Sequence, residues 1–578
     1  MLKKLALLTL ILITSMFSKA IKYTVDFSKV KTHYVSVKIS FKVNKQKHVD
    51  FKVPVWTPGS YKVREFSNAF EDVSAGELPV NRLDKNTWRI YTKGADQVEL
   101  TYDVYCFVVS VRQSYADEKY AFLHGVSVFG YLEGYENDSI ELLLNPLDEW
   151  TNVEVSLPKL AGSSHAFICE NYDLLVDSPI ALGNFDGITY ESGGVPHKIV
   201  MIGEGNYNLE QVRDDFKKIS DVQITMMGGH PSTQYVHFIY NVAQGGGGLE
   251  HLNSQTSMMS RWNYANKNAY RRFLGLIAHE YFHLWNVKRV RPIQLGPFDY
   301  NKEVYTDMLW IAEGITSYYD DLTLLRTGLY SKSDYLRIVA SNISKLENTP
   351  GKTNMSLAHS SLLAWVKAYL PNEESSNRTI SYYNKGMIAA VLLDLEIRLS
   401  GDKSLDDVMK FLYDEFYIQK NRGFTFDEFS SVCSRFAGKD LTDFFNKIVY
   451  STDSVDYTIL DSYGLKLSRE IDTANPWTGI TSNASNGKVV ITKIQSNSPA
   501  AKSGLSVNDE LVSIGGWRLR HKVEEHVMGM QTQDEININF ARDDKMYTTK
   551  MKLVGDPNMS YELVIQDDKN NLLQNWLQ

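Results

Sequence analysis

The stretch His279-Glu280-Tyr281-Phe282-His283 decides more about the fold than any other part of this sequence. On an α-helix its two histidines lie one turn apart on the same face, a spacing that suits a tetrahedral Zn²⁺. Glu280 is then held beside the metal as a base. The preceding run, residues 273–278, is apolar and predicts a buried helix. Because buried imidazoles need polar partners, we expect both histidines to bind a metal ion.

A zinc site of this kind needs a third protein ligand, and Glu313 is the best candidate. It lies 30 positions (313 − 283) after His283, inside the largely apolar segment 309–319. A single acid in such a segment is costly to bury unless it is paired, although a capped or salt-bridged helix start is the alternative. We therefore expect one Zn²⁺ per chain, bound by His279, His283 and Glu313.

Taken together, these segments resemble the Glu-ligand zinc peptidases (gluzincins), in which a W-x-x-E-G segment supplies the third ligand. The resemblance narrows to the glycyl aminopeptidase family of PDZ-containing zinc metallopeptidases. It is carried by VWTPGSY at 55–61, GGGLEH at 246–251, HEYFHLWNVKRVRP at 279–292 and a C-terminal PDZ-like segment. The chain departs from the large aminopeptidases in its longer gap to Glu313 and in having His251 where they have Asn.

This resemblance implies roles for further residues. Glu250 would hold the free α-amine of the substrate, and Gly247 and Gly248 would let the substrate backbone approach an edge strand. Tyr383, in the segment Tyr383-Asn384-Lys385-Gly386, would stabilise the oxyanion. A glutamate that serves only a turn and a tyrosine that is only packed are the alternatives.

The implied activity is that of a zinc metallo-aminopeptidase that removes small N-terminal residues, Gly and Ala preferred. Zn²⁺ lowers the pKa of a bound water to about 7, and Glu280 takes the proton of that water and delivers it to the leaving amine. A zinc endopeptidase on the same scaffold is one alternative. A peptide-binding protein led by the PDZ-like segment, with structural zinc, is another.

The expected fold class is multidomain α+β. Alternating polar and apolar residues at 33–41 and 97–105 predict β-strands, and segments 498–505 and 509–516 resemble the helix and following strand of a PDZ fold. Such a module would bind a peptide C-terminus. The predicted divisions are a signal peptide (1–20), a β-sandwich-like domain (21–172), a thermolysin-like catalytic domain with a helical lobe (173–455), a PDZ-like domain (456–560) and a tail (561–578).

The first 20 residues predict export. Lys3 and Lys4 precede an apolar run at 5–17 and the small-x-small site Ser18-Lys19-Ala20, so we expect a periplasmic protein without a membrane span in the mature chain. A net charge of −8 argues against a nucleic-acid partner. Three cysteines are too few for a disulfide scaffold, although Cys106 and Cys169 could pair and leave Cys433 over.

Overall fold

The computed structural model describes residues 20–471 and 473–578. Nearly all of the predicted signal peptide therefore lies outside the described residues. The chain divides into two compact units. The first runs to Val304 and includes Leu412–Gly423, and the second comprises Tyr305–Phe411 and Phe424–Gln578.

The N-terminal part of the first unit is built of β-sheets. The strands predicted from alternation form as Tyr34–Lys42 and Gln97–Tyr105, and every second residue of each is buried. Apolar residues from these strands fill one continuous core that includes Val37, Leu100 and Tyr102. In sheet order the strands are Ala166–Cys169, Ile140–Asn145, Ile21–Asp26, Tyr34–Lys42, Gln97–Tyr105 and Phe70–Ser74; then Tyr131–Leu132, His48–Lys52, Thr87–Tyr91 and Val80–Arg82; then Asn152–Val155, Ile180–Gly183, Tyr120–Leu123 and Tyr115–Ala116.

A five-stranded mixed sheet completes the first unit and carries the helix that bears His279. Its order is Asp186–Ser192, Val195–Ile202, Tyr235–Val242, Ser254–Ser260 and Gly246–Glu250, so the glycine-rich strand lies at an edge. That strand pairs antiparallel with Ser254–Ser260. The α-helices of this unit are Tyr172–Val176, Leu209–Met227 and Lys267–Phe282, and Tyr413–Gln419 forms a π-helical segment.

The second unit begins with helices. A π-helical turn, Trp310–Gly314, leads into the helix Ile315–Arg326, and the long apolar helix Tyr382–Arg398 packs against both. Almost every residue of Tyr382–Arg398 is buried, as expected of a helix that is apolar on all sides. The others are Lys332–Glu347, Leu357–Leu362, Ala364–Lys367, Ser375–Arg378, Leu405–Leu412, Phe426–Ala437, Thr442–Phe445, Asn446–Tyr450 (π-helical) and Ile459–Ser462.

The C-terminal part of the second unit is mostly β and has its own apolar core around Val489, Ile514 and Ile538. Its main sheet has the order Ile480–Ser485, Lys488–Ile494, Glu510–Ile514, Glu535–Arg542 and Lys545–Lys552, with Trp517–Arg518 beside Glu510–Ile514. Leu465–Ile471 pairs with Met559–Ile565, and Pro476–Trp477 pairs with Val554–Gly555. The helices are Pro499–Lys502, Val523–Val527 and Asn571–Trp576.

Two asparagines of the helical part hold the backbone of this C-terminal β region. Asn348 donates to the carbonyl of Met559 and accepts from its N–H, each at 2.8 Å. Asn377 donates to the carbonyl of Ile494 at 2.8 Å and accepts from the N–H of Ser496 at 2.9 Å. Each amide side chain thus pairs with the backbone as a neighbouring strand would, which fixes the two parts against each other.

The last helix packs into the helical part of the second unit. Trp576 is fully buried and its indole donates to the hydroxyl of Tyr318 at 3.1 Å. Tyr318 in turn donates to Asp394 at 2.6 Å, and that carboxylate also accepts from Arg398 and from the backbone of Leu405. The C-terminal helix therefore belongs to the packed core of this unit.

The predicted α+β fold class is confirmed, with an N-terminal β-rich region, a central helical region and a C-terminal β region. No helix within residues 20–471 and 473–578 has the length and apolar character that crossing a membrane requires. Cys106, Cys169 and Cys433 are all buried free thiols. The domain boundaries stay predictions. The strand Met559–Ile565 crosses the predicted boundary between residues 560 and 561.

Replacing Trp576 with Ala is expected to remove about 3–5 kcal/mol of stability, because it leaves a large cavity and removes the indole donor to the Tyr318 hydroxyl. Thermal unfolding of the second unit should shift to lower temperature, as followed by circular dichroism. Trp517 is 73% exposed, so Trp517→Ala is the matched control and should leave the transition unchanged. Equal midpoints for the two variants would contradict a core role for the last helix.

Candidate active site

The helix that carries His279 is fixed firmly to its sheet. Asn266 caps its first turn by accepting from the N–H of Ala269 at 3.0 Å. Near the other end, the buried amide of Gln223 donates to the carbonyl of Ala278 at 2.8 Å. The hydroxyl of Tyr281 lies 2.7 Å from Nε2 of His197. These contacts hold the helix on both sides of His279, so the orientation of the motif is set before any ligand binds.

The two motif histidines lie side by side, as the sequence predicts. The helix ends at Phe282, and His283 follows in a right-handed helical conformation, so its ring centroid is 4.7 Å from that of His279. Nδ1 of His283 donates to the backbone carbonyl of Asn286 at 2.5 Å. That bond fixes the tautomer and leaves the lone pair of Nε2 for a metal ion.

Two buried carboxylates converge on His283. Ligand atoms of Glu250, Glu280 and His283 all lie within 4.8 Å of one another, and the three residues are 4%, 5% and 1% exposed. Oε1 of Glu250 has no hydrogen-bond partner among the described residues. Two carboxylates this close and this buried repel each other, and a cation beside them would offset that repulsion. The residues present therefore fit a divalent metal ion and a cationic substrate group.

Glycines make this convergence possible. Gly248 lies against the carboxylate of Glu280, and a Cβ at Gly248 would overlap it. Gly59 adopts φ +83° and lies against the carboxylate of Glu250 in the same way. Gly247 also has a positive φ, +103°. Any other residue at Gly59 would be strained and would displace Glu250.

A very small cavity lies beside Glu250. Its volume is about 20 Å³, and Trp56, Tyr61, Leu295 and Phe298 form apolar walls around it. The indole of Trp56 donates to the carbonyl of Asp299 at 2.7 Å, which fixes one wall in place. A space of this size admits little more than one water molecule or a methyl group.

A buried ionic network supports the end of the glycine-rich strand. Asp177 accepts from Lys288 and from the N–H of Leu252 at 2.8 Å each, and Nδ1 of His251 lies 3.2 Å away. Burial raises the pKa of Asp177, but Lys288 and His251 outweigh it and lower that pKa to about 2. The ionised carboxylate thus fixes the backbone directly after Glu250, and Lys288 forms an ion pair with it.

Glu313 and Tyr383 both lie in the second unit. Glu313 is 2% exposed within the π-helical turn Trp310–Gly314, and Tyr383 is the second residue of the helix Tyr382–Arg398. The two elements touch at glycines, since a Cβ on Gly314 would lie 2.5 Å from Cα of Gly386. Close backbone contact at this point brings the segments of Glu313 and Tyr383 together.

The first unit therefore brings together His279, His283, Glu280, Glu250 and Gly248, with Gly247 one residue away on the same strand. Their individual roles, and those of Glu313 and Tyr383, stay predictions. The sequence alone does not predict the contact between Gly59 and the carboxylate of Glu250, and it does not identify Asp177 as part of the site. The glycine in the motif WTPGSY is a signal that could have indicated a close approach, whereas an isolated aspartate gives none.

Comparison with known proteins agrees with this geometry. Models of the M61 glycyl aminopeptidase family, of the peptidase M61 N-terminal domain and of the PDZ domain match residues 272–389, 22–184 and 476–553. A crystal structure of an aminopeptidase N family protein from Idiomarina loihiensis is 28% identical, covers 96% of this chain and 100% of that one, and has a TM-score of 0.91. Searching curated proteins produced no match.

More distant likenesses include an M1 zinc metallopeptidase from Deinococcus radiodurans (11% identity, 76% of this chain and 95% of that one, TM-score 0.48) and yeast LTA4 hydrolase (11%, 77% and 70%, TM-score 0.46). At these scores neither supports an inference about this chain. The family models, in contrast, match the N-terminal β-rich region, the segment of the HEYFH helix and the C-terminal β region in the expected order. The chain carries the catalytic and N-terminal regions that the M61 glycyl aminopeptidase family models describe, together with a PDZ domain, and is a metallo-aminopeptidase.

Proposed function

We propose that the enzyme binds one Zn²⁺ through His279, His283 and Glu313. Two imidazoles and one carboxylate form a donor set that Zn²⁺ prefers, and the bond from His283 to the carbonyl of Asn286 leaves Nε2 as the ligand atom. The assignment of Glu313 rests on its spacing from the histidines and on the family resemblance. Zn²⁺, when bound, supplies a Lewis acid that polarises the scissile carbonyl and lowers the pKa of the attacking water.

Glu280 serves as the general base in this proposal. Its carboxylate faces the backbone of Gly248, where a substrate strand would lie, and its ligand atoms are within 4.8 Å of those of His283. From this position a carboxylate oxygen accepts the proton of the attacking water and passes it to the leaving amine. Tyr383 is proposed to donate its hydroxyl to the carbonyl oxygen as negative charge develops there.

One observation carries the assignment as an aminopeptidase rather than an endopeptidase. Glu250 is buried beside Glu280, and its Oε1 has no hydrogen-bond partner in the described part of the chain. A buried, unsatisfied carboxylate oxygen is costly, and the ammonium group of a peptide N-terminus would satisfy its charge and its hydrogen bond together. The substrate N-terminus would thereby be held one residue from the peptide bond that the water deprotonated by Glu280 attacks.

The cavity beside Glu250 supports a preference for small N-terminal residues. About 20 Å³ is available between Trp56, Tyr61, Leu295 and Phe298, which suits the hydrogen of Gly or the methyl group of Ala. A larger side chain would have to displace buried aromatic rings that pack to native density. We therefore propose Gly and Ala as the preferred residues.

The PDZ domain is proposed to bind the C-terminus of a peptide. Its strand Ile480–Ser485 lies at the edge of the sheet and can accept a further strand. A cavity of about 450 Å³ lies at the beginning of this strand, bordered by Trp477 and Gly479 and by Val527 of the helix Val523–Val527. Export to the periplasm, as residues 1–20 predict, stays a prediction.

The variant Glu280→Gln is expected to lower kcat for Ala-p-nitroanilide by about 10²–10⁴-fold, because the amide cannot accept the proton of water. Zinc content, measured by atomic emission, should stay at one per chain. A chelator should abolish wild-type activity and added Zn²⁺ should restore it. Full activity of Glu280→Gln would rule out this residue as the base.

The variant Glu250→Gln keeps the shape of the side chain and removes its charge. The kcat/KM for Ala-p-nitroanilide should fall about tenfold to a hundredfold, since a charged hydrogen bond to the substrate amine is lost. N-acetylated peptides should resist both the wild type and the variant. If both proteins cleave N-acetylated peptides equally well, the enzyme is an endopeptidase instead.

Enlarging the small cavity should broaden the substrate range. Leu295→Ala removes a buried wall, so the ratio of kcat/KM for Leu- over Gly-p-nitroanilide should rise about tenfold. Leu100→Ala, in the core of the N-terminal sheets, is the matched control for lost stability and should leave this ratio unchanged. If the ratio changes in neither variant, the cavity does not determine the preference for small N-terminal residues.

A further inference from the structure

The edge strand Gly246–Glu250 presents particular backbone groups to the outside. The N–H of His251 donates to the carbonyl of Ser254 at 2.9 Å, so His251 and Ser254 form a hydrogen-bonded pair. In an antiparallel ladder, hydrogen-bonded pairs alternate with non-hydrogen-bonded pairs. The next residues whose backbone groups bond to the strand Ser254–Ser260 are therefore Leu249 and Gly247. The N–H and carbonyl of Gly248 therefore point to the free edge of the sheet.

An arginine from the N-terminal β-rich region already occupies this free edge. Nη2 of Arg112 donates to the carbonyl of Gly248 at 3.2 Å. Nε of Arg112 is buried and has no hydrogen-bond partner among the described residues. No carboxylate of those residues forms an ion pair with its guanidinium. A partly buried guanidinium without a counter-ion is costly, and an anion would lower that cost.

Arg112 contacts the backbone at Gly248, and Glu250 follows two residues later on the same strand. Gly248 and Glu250 are two residues apart on one strand, a separation of roughly 7 Å. An extended dipeptide covers about the same length, with its ammonium group at one end and its carboxylate at the other. The carboxylate of Glu280, from the helix Lys267–Phe282, lies against Gly248 of this strand. It would therefore reach the peptide bond of a dipeptide bound along the strand.

We propose that Arg112 binds the C-terminal carboxylate of dipeptide substrates, while Glu250 holds their ammonium group. This proposal rests on the proposed role of Glu250 as the amine anchor. The guanidinium presents two parallel donors to a carboxylate, and the outward N–H of Gly248 adds a third. Because the carbonyl of Gly248 is already occupied by Arg112, a longer substrate cannot pair fully with this edge.

The experiment compares Ala-Ala with its amide, Ala-Ala-NH₂, which differs only in the terminal charge. In the wild type the kcat/KM for Ala-Ala should be about tenfold to a hundredfold higher, mainly through a lower KM. In Arg112→Gln the two substrates should become equal within about threefold, while Ala-p-nitroanilide hydrolysis persists. Arg112→Lys, which keeps the charge but lacks the fork, should restore part of the difference.

Arg261→Gln is the matched control. Arg261 also donates to a backbone carbonyl, that of Asn241 at 3.1 Å, and also has a buried Nε without a partner in the described residues. It should keep the wild-type preference for Ala-Ala. Equal kcat/KM values for the two substrates in the wild type, or an unchanged preference in Arg112→Gln, would overturn the proposal. The fall in kcat/KM for Ala-p-nitroanilide expected in Glu250→Gln tests the amine anchor separately, so failure of one proposal is distinguishable from failure of the other.

Discussion

The first unit depends on the burial of like charges in one place. Glu250 and Glu280 bring two carboxylates within 4.8 Å of each other and of His283, in a region that solvent hardly reaches. Such an arrangement is stable only if cations complete it, because each desolvated anion raises the free energy of the other. In the proposed function, the metal ion and the substrate ammonium group are those cations. Their binding would offset the repulsion between the two carboxylates.

Several surrounding residues hold the two carboxylates of Glu250 and Glu280 close together. Gly59 and Gly248 leave room for the carboxylates, and any side chain at either position would push them apart. Asp177 holds the backbone after Glu250 by accepting from the N–H of Leu252, and Lys288 and His251 lower the pKa of Asp177. The N-terminal β-rich region thus contributes directly to the candidate site, although none of the expected base and metal-ligand residues belongs to it.

Local patterns predicted much of this arrangement, and contacts between distant segments account for the rest. The spacing of His279 and His283, the apolar run before them and the alternation in Tyr34–Lys42 each follow from helix or strand periodicity. The approach of Gly59 to Glu250, and of Arg112 to a carbonyl 136 positions away, depends on the packing of whole domains. No periodicity in one segment encodes a partner in another, so such contacts become visible only in three dimensions.

The asparagine contacts of the second unit bear on whether the C-terminal β region could be moved to another protein. Asn348 and Asn377 each pair with a backbone donor and a backbone acceptor of the C-terminal β region. The helix that follows this region ends with Trp576, which packs in the helical core. A domain joined by a flexible linker can be exchanged, duplicated or lost between genes without harm to its neighbour. This one makes side-chain to backbone contacts with the helices beside it. Transferring it alone to another protein would therefore leave those backbone groups without their present partners.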